Sequence, residues 1–257
     1  MSVKINNLTF KYPKAKNSTL NNISIDIKDG DVVALLGLNG CGKTTLIKNI
    51  VGLLTPSSGE ITIDDVNINK ISIKERSKII SYVSQKINSL DDVLVKDYLS
   101  FSFVNSLNFY QKPNENQLKE LNEMANRFEL TNLLNKKIDE ISGGERQKVS
   151  ICSAMLQNTK VIVLDEPTSA LDLKNQYLVL KLIYEISKAK NKIVIFSTHN
   201  PNHALFLNCM VVVMKNGKIC LYDKSEKIIK VDNLKDIYGD NICYSKDLSY
   251  DEITFKN

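Results

Sequence analysis

The stretch GLNGCGKTT, residues 37 to 45, sets three glycines, a lysine and two threonines between an apolar run and a segment of helical periodicity. In a strand–loop–helix setting, the pattern G-x-x-x-x-G-K-[ST] is a cradle for phosphate. Its glycines let backbone N–H groups converge on phosphate oxygens, and the helix start adds partial positive charge. Lys43 is placed to reach β- and γ-phosphates, and the Thr44 hydroxyl to ligate Mg²⁺. A second stretch, VIVLDEPTSALD at 161 to 172, runs four apolar residues into two adjacent carboxylates. Ligands of open α/β sheets sit at such C-terminal strand edges. Asp165 suits a Mg²⁺-holding aspartate, and Glu166 beside it suits a group that orients and polarises an attacking water.

A third stretch, ISGGERQKVS at 141 to 150, puts two adjacent glycines where a helix is about to begin. It has no metal-ligand spacing and no nucleophile–base pair, so it performs no chemistry alone.

These stretches need elements to hold them. Val3 to Phe10 and ISIDI alternate like strands, and Asp29-Gly30 turns the chain from an antiparallel hairpin into the buried strand VVALLGL. KTTLIKNIVGLL reads as a helix with Leu46, Ile47 and Ile50 on its apolar side, and Ser72 to Glu75 has capping-box spacing. Between about 88 and 158 the texture becomes helical; Leu118, Leu121, Ala125 and Phe128 mark one face, after a loop at Lys112-Pro113-Asn114. After residue 160, strands (VIVLD, KIVIFST, MVVVM) alternate with helix NQYLVLKLIYEIS, and Asn216-Gly217 turns into KICLY. Such alternation predicts a mainly parallel sheet covered on both faces.

Composition bounds the rest. The 257 residues are 43% hydrophobic and 25% charged with a net charge of +5, a globular balance too mildly basic to argue for nucleic acid. The five cysteines form no CxxC pair and read as buried or incidental thiols of a reducing compartment. The N-terminus lacks a signal-peptide core, and no apolar run approaches the roughly 20 residues of a membrane span. Membrane work would therefore go through a partner.

With these motifs in this order, the sequence resembles the ATP-binding subunits of ABC (ATP-binding cassette) transporters over residues 1 to about 240. ISGGERQKVS is similar to their signature motif. The resemblance implies a head-to-tail homodimer in which Ser142, Gly143 and Gly144 of one copy cap the γ-phosphate held by the loop of the other. It implies that Gly37, Asn39, Gly40, Cys41, Gly42, Lys43, Thr44 and Thr45 hold ATP, with Thr44, Gln85 and Asp165 serving Mg²⁺. Gln85 in SYVSQ resembles the glutamine that links core and helical insertion. His199 in IFSTH resembles the switch histidine at the γ-phosphate, Asp172 the interface aspartate, and Tyr12 the aromatic that stacks on adenine. Glu166, His199, Gln85 and Lys43 form the implied catalytic set. Ile141 stands where the family usually has Leu, and Cys41 where Ser or Ala is common, which suggests sensitivity of nucleotide binding to thiol reagents.

The implied fold class is α/β: a P-loop NTPase core with a mainly parallel sheet, an N-terminal antiparallel β subdomain and an inserted α-helical subdomain. One ABC ATPase domain would span 1–257, with core at 1–87 and 159–222, helical subdomain at 88–158 and a C-terminal appendix at 223–257. ISIKERSKIISYVSQ, LDLKNQ, STHNPNHAL and NLKDIYGD are similar to subunits energising import of iron–siderophore, haem, cobalamin or molybdate-type solutes. Expected partners are a multi-spanning permease and, indirectly, a solute-binding protein, at the cytoplasmic face of the membrane and without nucleic acid. The alternative is a soluble ABC ATPase of translation or DNA repair. The insertion is too short for the coiled coils of repair types, and translation types hold two cassettes in one chain. A GTPase would need an Asn-Lys-x-Asp motif, which is absent, and a catalytically dead cassette would not need Glu166 and His199.

Overall fold

The computed structural model describes residues 2–85, 91–107, 111–239, 242–245 and 252–255. In chain order the first elements are β1 (Ser2–Phe10), β2 (Leu20–Lys28), β3 (Val32–Leu36), α1 (Lys43–Ile50), β4 (Ser58–Ile63), β5 (Val66–Asn67), α2 (Ile73–Ser77) and β6 (Ile80–Val83). Then come α3 (Val95–Ser100), α4 (Glu115–Arg127), α5 (Gly143–Leu156), β7 (Val161–Leu164), α6 (Leu173–Lys190) and β8 (Ile193–Thr198). The chain closes with α7 (Pro201–Leu207), β9 (Met210–Lys215), β10 (Lys218–Lys224), α8 (Ser225–Ile228), α9 (Val231–Tyr238), β11 (Ile242–Ser245) and β12 (Glu252–Phe255). Two compact units divide them, residues 1–71 with 195–257, and residues 72–194. The expected boundary at 87/88 lies outside the described residues, and the expected boundary at 158/159 lies inside the second unit.

In the first unit, β1 buries Val3 and Ile5 and, beyond a register shift between Ile5 and Leu8, also Leu8 and Phe10. Antiparallel register sets Ile27 and Ile25 beside Val3 and Ile5 from β2, and Ile63 and Ile61 beside them from β4. The four strands run β2-β1-β4-β5. β3 belongs to another sheet. β1 and β2 form the expected antiparallel hairpin, and Asp29-Gly30 turns the chain out of that sheet into the buried β3. All five β3 residues are buried, as in a strand covered on both faces, whereas β2 alternates and has only one face to cover. β3 runs parallel to β9, with Val33 beside Met210 and Leu36 beside Val213, and lies between β9 and β8. β10 adds antiparallel to β9 through the Asn216-Gly217 turn. β11 and β12 pair antiparallel with each other.

In the second unit, β6 and β7 run parallel, with Ile80 beside Val161 and Val83 beside Leu164. Val161 to Leu164 are all fully buried. Ser72 and Glu75 form the expected capping box on α2, and Asn114 with Gln117 forms another on α4. Leu121, Ala125 and Phe128 are buried as their spacing predicts, and Met124 joins them. Leu118 does not: it is 44% exposed. It sits in the first turn of α4, beside Phe101 and Pro113 at the surface, one turn before the buried stripe begins. Ile141 is buried, so the Ile-for-Leu departure fills its apolar socket. Among the described cysteines Cys41, Cys152 and Cys209 are buried and Cys220 is exposed, all as free thiols.

Candidate functional site

β3 ends at Leu36, and Gly37 to Gly42 carry the chain to α1 with φ of +154° at Gly37 and +111° at Gly42. A Cβ at Gly37 would stand 2.4 Å from the Met214 carbonyl oxygen, so close approach as well as φ demands glycine there. Gly42 is the N-cap of α1 and brings no side-chain acceptor to the helix start, a position whose partial positive charge suits an anion. Lys43 is buried, and its ammonium donates to the carbonyls of Gly37 at 2.7 Å and Leu38 at 3.2 Å, folded back over the loop. Asn39 and Gly40 are exposed at the loop's crest, and Thr44 is half-buried. Thr45 is buried, with its hydroxyl 3.2 Å from the Tyr12 hydroxyl. The Tyr12 ring meets Phe10 edge-on at 4.8 Å and keeps an exposed surface.

Burial raises the pKa of the Cys41 thiol, against the lowering effect of Lys43. A protonated, buried thiol is a poor nucleophile, so Cys41 is not set up for the reagent sensitivity that its position suggested. Gly217 from the β9–β10 turn donates its N–H to the Cys41 carbonyl at 3.0 Å and accepts from Asn21 at 2.8 Å.

His199 follows β8 in the same unit, exposed at the end of a buried strand. The Asn200 N–H donates to Thr198 Oγ1 at 3.1 Å, and that hydroxyl is 3.0 Å from His203 Nδ1. Burial, then His199, pushes the His203 pKa down to about 4. An unfolded chain takes this proton near pH 6.5, so the contribution to stability is complete above pH 6.5 and is lost as pH falls toward 4, by roughly 3 kcal/mol. Urea unfolding at pH 7.5 and 4.5 checks this. Wild type should lose more stability than His203→Asn over that interval, and equal losses would remove His203 as the cause.

The second unit holds the carboxylates. Asp165 is buried at the end of β7, and its N–H donates to the Val83 carbonyl at 2.9 Å. Glu166 has a φ of +49°, a left-handed backbone that costs a non-glycine residue on the order of 1–3 kcal/mol. Its carboxylate accepts from Gln85 Nε2 at 2.8 Å, and its carbonyl accepts from Ser169 Oγ at 3.1 Å. Two residues named separately from the sequence are thus in contact. Burial, then Asp165, pushes the Tyr82 phenol up to about 12, so Tyr82 adds no charge beside the acidic pair at neutral pH.

Ser142 caps α5. Its Oγ accepts from the Glu145 N–H at 3.2 Å, and the Glu145 carboxylate accepts from the Ser142 N–H at 2.8 Å. Hydrogen bonding from the Ser142 side chain, then from its N–H, holds the Glu145 carboxyl below its usual range. Gly143 has open space where a Cβ would be, and a Cβ at Gly144 would meet the Ala170 carbonyl oxygen at 3.0 Å. Asp172 caps α6, accepting from the Asn175 N–H at 2.8 Å, and this bond lowers its pKa.

Gly217 and Tyr238 were not sequence candidates, though both reach candidate residues. Tyr238 lies in NLKDIYGD, a stretch that marks likeness but no chemistry, and its bond to His199 spans 39 residues. The donor set suits a polyphosphate: backbone N–H groups at a helix start beside a buried ammonium. Thr44, Gln85 and Asp165 offer oxygen, the donor type that Mg²⁺ takes. Among the described residues no group of three or more His, Cys, Asp or Glu could hold a metal. Mg²⁺ characteristically keeps several waters and needs only one or two carboxylates.

A loop with this donor set on a buried parallel strand belongs to the phosphate-loop ATPases. Residues 20–169 match the family described as ABC transporter, and the chain belongs to that family as an ATP-binding, ATP-hydrolysing cassette. A Helicobacter pylori protein named "Probable iron chelatin transport ATP-binding protein" is 32% identical over 239 residues, covering 93% of each chain. The molybdate import ATP-binding protein MolC of Haemophilus influenzae is 30% identical over 237 residues, covering 92% of this chain and 88% of that one. Among solved structures, an inward-facing transporter assigned to the metal-chelate type aligns with a TM-score of 0.80 at 27% identity, over 99% of this chain and 96% of that one. A dimeric cassette in a post-hydrolysis state with ADP and Pi aligns at 0.78 and 28% identity, over 87% and 98%. The α/β fold with its parallel-rich sheet and separate antiparallel sheet is that of an ABC ATPase.

Proposed function

We propose that this chain powers import of a metal-chelate type solute (an iron–siderophore, haem, cobalamin or molybdate) through a separate membrane subunit. The observation that carries the reading is the near-complete alignment with the metal-chelate type transporter. The iron chelatin and molybdate relatives support it. No helix among the described residues is long and apolar enough to cross a membrane, and in this reading the solute path lies in a separate permease. The chain then works at the cytoplasmic face of the membrane, with a solute-binding protein reached only through the permease.

In this reading ATP lies with its phosphates on the 37–45 loop and its adenine on Tyr12. Thr44, Asp165 and Gln85 would hold a Mg²⁺ ion, which would supply neutralising charge to the phosphate oxygens. Glu166 polarises the attacking water, with Gln85 holding its carboxylate in place, and Lys43 and His199 meet the γ-phosphate. Catalysis is positioning plus charge stabilisation. Two copies pair head to tail, so that Ser142, Gly143 and Gly144 of one offer a hydroxyl and helix-start N–H groups to the γ-phosphate held by the other, with Asp172 at the interface. Each ATP then touches both copies, and hydrolysis removes that bridge.

Tagging the chain in its own cells, solubilising gently and identifying what co-purifies tests the reading. A multi-spanning membrane protein is expected. Ribosomes, DNA or the absence of any membrane protein would replace it with a soluble ATPase of translation or repair.

A further inference from the structure

The C-terminal helix carries a contact for which the nucleotide chemistry gives no account. α9 buries Leu234 and Ile237 and ends on the half-buried Tyr238. Asn233 Nδ2 anchors the helix by donating to the carbonyls of Lys227 at 3.3 Å and Ile228 at 3.1 Å. Tyr238 Oη donates to the main-chain carbonyl of His199 at 3.1 Å. From the other flank, Thr198 Oγ1 holds the Asn200 N–H and the His203 ring. The peptide of His199 is therefore gripped on both sides while its imidazole faces solvent.

The same helix faces the phosphate loop across a cavity. Ile237 lines a cavity of 190 Å³ with Leu38, Asn39, Gly40, Cys41 and Met214. Burial, then Cys41, pushes the Tyr238 phenol above its ordinary value, so it stays a protonated donor at working pH.

We propose that Tyr238 is a positioning residue for His199, and that α9 keeps the end of β8 and the phosphate loop in register with one another. The proposal rests on the reading of His199 as the γ-phosphate contact. The Tyr238 hydroxyl never meets ATP. Its loss should slow turnover by letting the His199 peptide drift, and should leave the affinity supplied by the loop in place.

The full-length protein carrying Tyr238→Phe, which deletes the donor and keeps the ring, tests this beside His199→Ala. Losing one neutral hydrogen bond behind a catalytic group should lower kcat about five- to tenfold, with the Kd for ATP within about twofold. The chain has only two histidines, so two imidazole signals appear in a carbon–proton NMR spectrum. The one lost in His199→Ala should shift in Tyr238→Phe, while the His203 signal stays and reports an intact fold. An unmoved His199 signal with kcat within twofold of wild type overturns the proposal. Should the variant lack the His203 signal, hydrogen exchange across residues 196–203 in Asn233→Ala, which only loosens α9, decides instead: faster exchange supports the tether and unchanged exchange rejects it. Wild-type turnover in His199→Ala would reject the role of His199 itself, and a shifted signal in Tyr238→Phe would still identify the tether.

Discussion

Glu166→Gln should hold ATP and hydrolyse it about 10²–10⁴-fold more slowly than wild type, the range for removing a positioned general base. The substitution keeps size and shape. The new amide oxygen can still accept from Gln85 Nε2, now 2.8 Å from the carboxylate, so the pair survives while the negative charge goes. A backbone at φ +49° also argues that the site tolerates strain in order to aim this side chain. Because the lesion falls after ATP binding, the protein should accumulate as a closed dimer retaining nucleotide. Size-exclusion chromatography with a count of bound ATP, beside a phosphate-release assay, measures both effects. Hydrolysis at the wild-type rate would move the water-polarising role to another residue.

Lys43→Ala should abolish useful ATP binding. The ammonium is buried and held by two loop carbonyls, so it is already desolvated and in place for an incoming phosphate. Bonds to a charged group contribute about 1.5–3 kcal/mol each, which sets the loss of affinity on the order of 100-fold. Alanine also takes the donor away from the Gly37 and Leu38 carbonyls, so the loop should soften even without nucleotide. Calorimetric titration with ATP reads the affinity, and a Kd within threefold of wild type would show that the backbone donors alone carry the phosphate.

The phosphate loop was legible because everything it needs is local: one strand, one loop and one helix start in sequence order. Ser72 was legible for the same reason, since a capping box spans only four consecutive residues. The contact between Gln85 and Glu166 was not, although both residues had been named, because it joins positions 81 apart and only tertiary structure closes that distance. Leu118 misled because periodicity locates a face but not how far along the helix that face is covered. The short 3₁₀ segments at 101–106, 131–133 and 138–140 span too few residues to establish a period.

The Asn216-Gly217 turn has the outward signs of a place to lengthen: a tight hairpin tip carrying a polar residue. Its contacts say otherwise. Gly217 bonds to Cys41 and Asn21 through its own main chain, and a Cβ there would stand 2.2 Å from the Thr19 carbonyl oxygen. An epitope or fluorescent reporter spliced between Asn216 and Gly217 would displace the phosphate loop instead of dangling in water. For anyone labelling this protein, that hairpin tip should be treated as a brace of the loop before α1 and left intact.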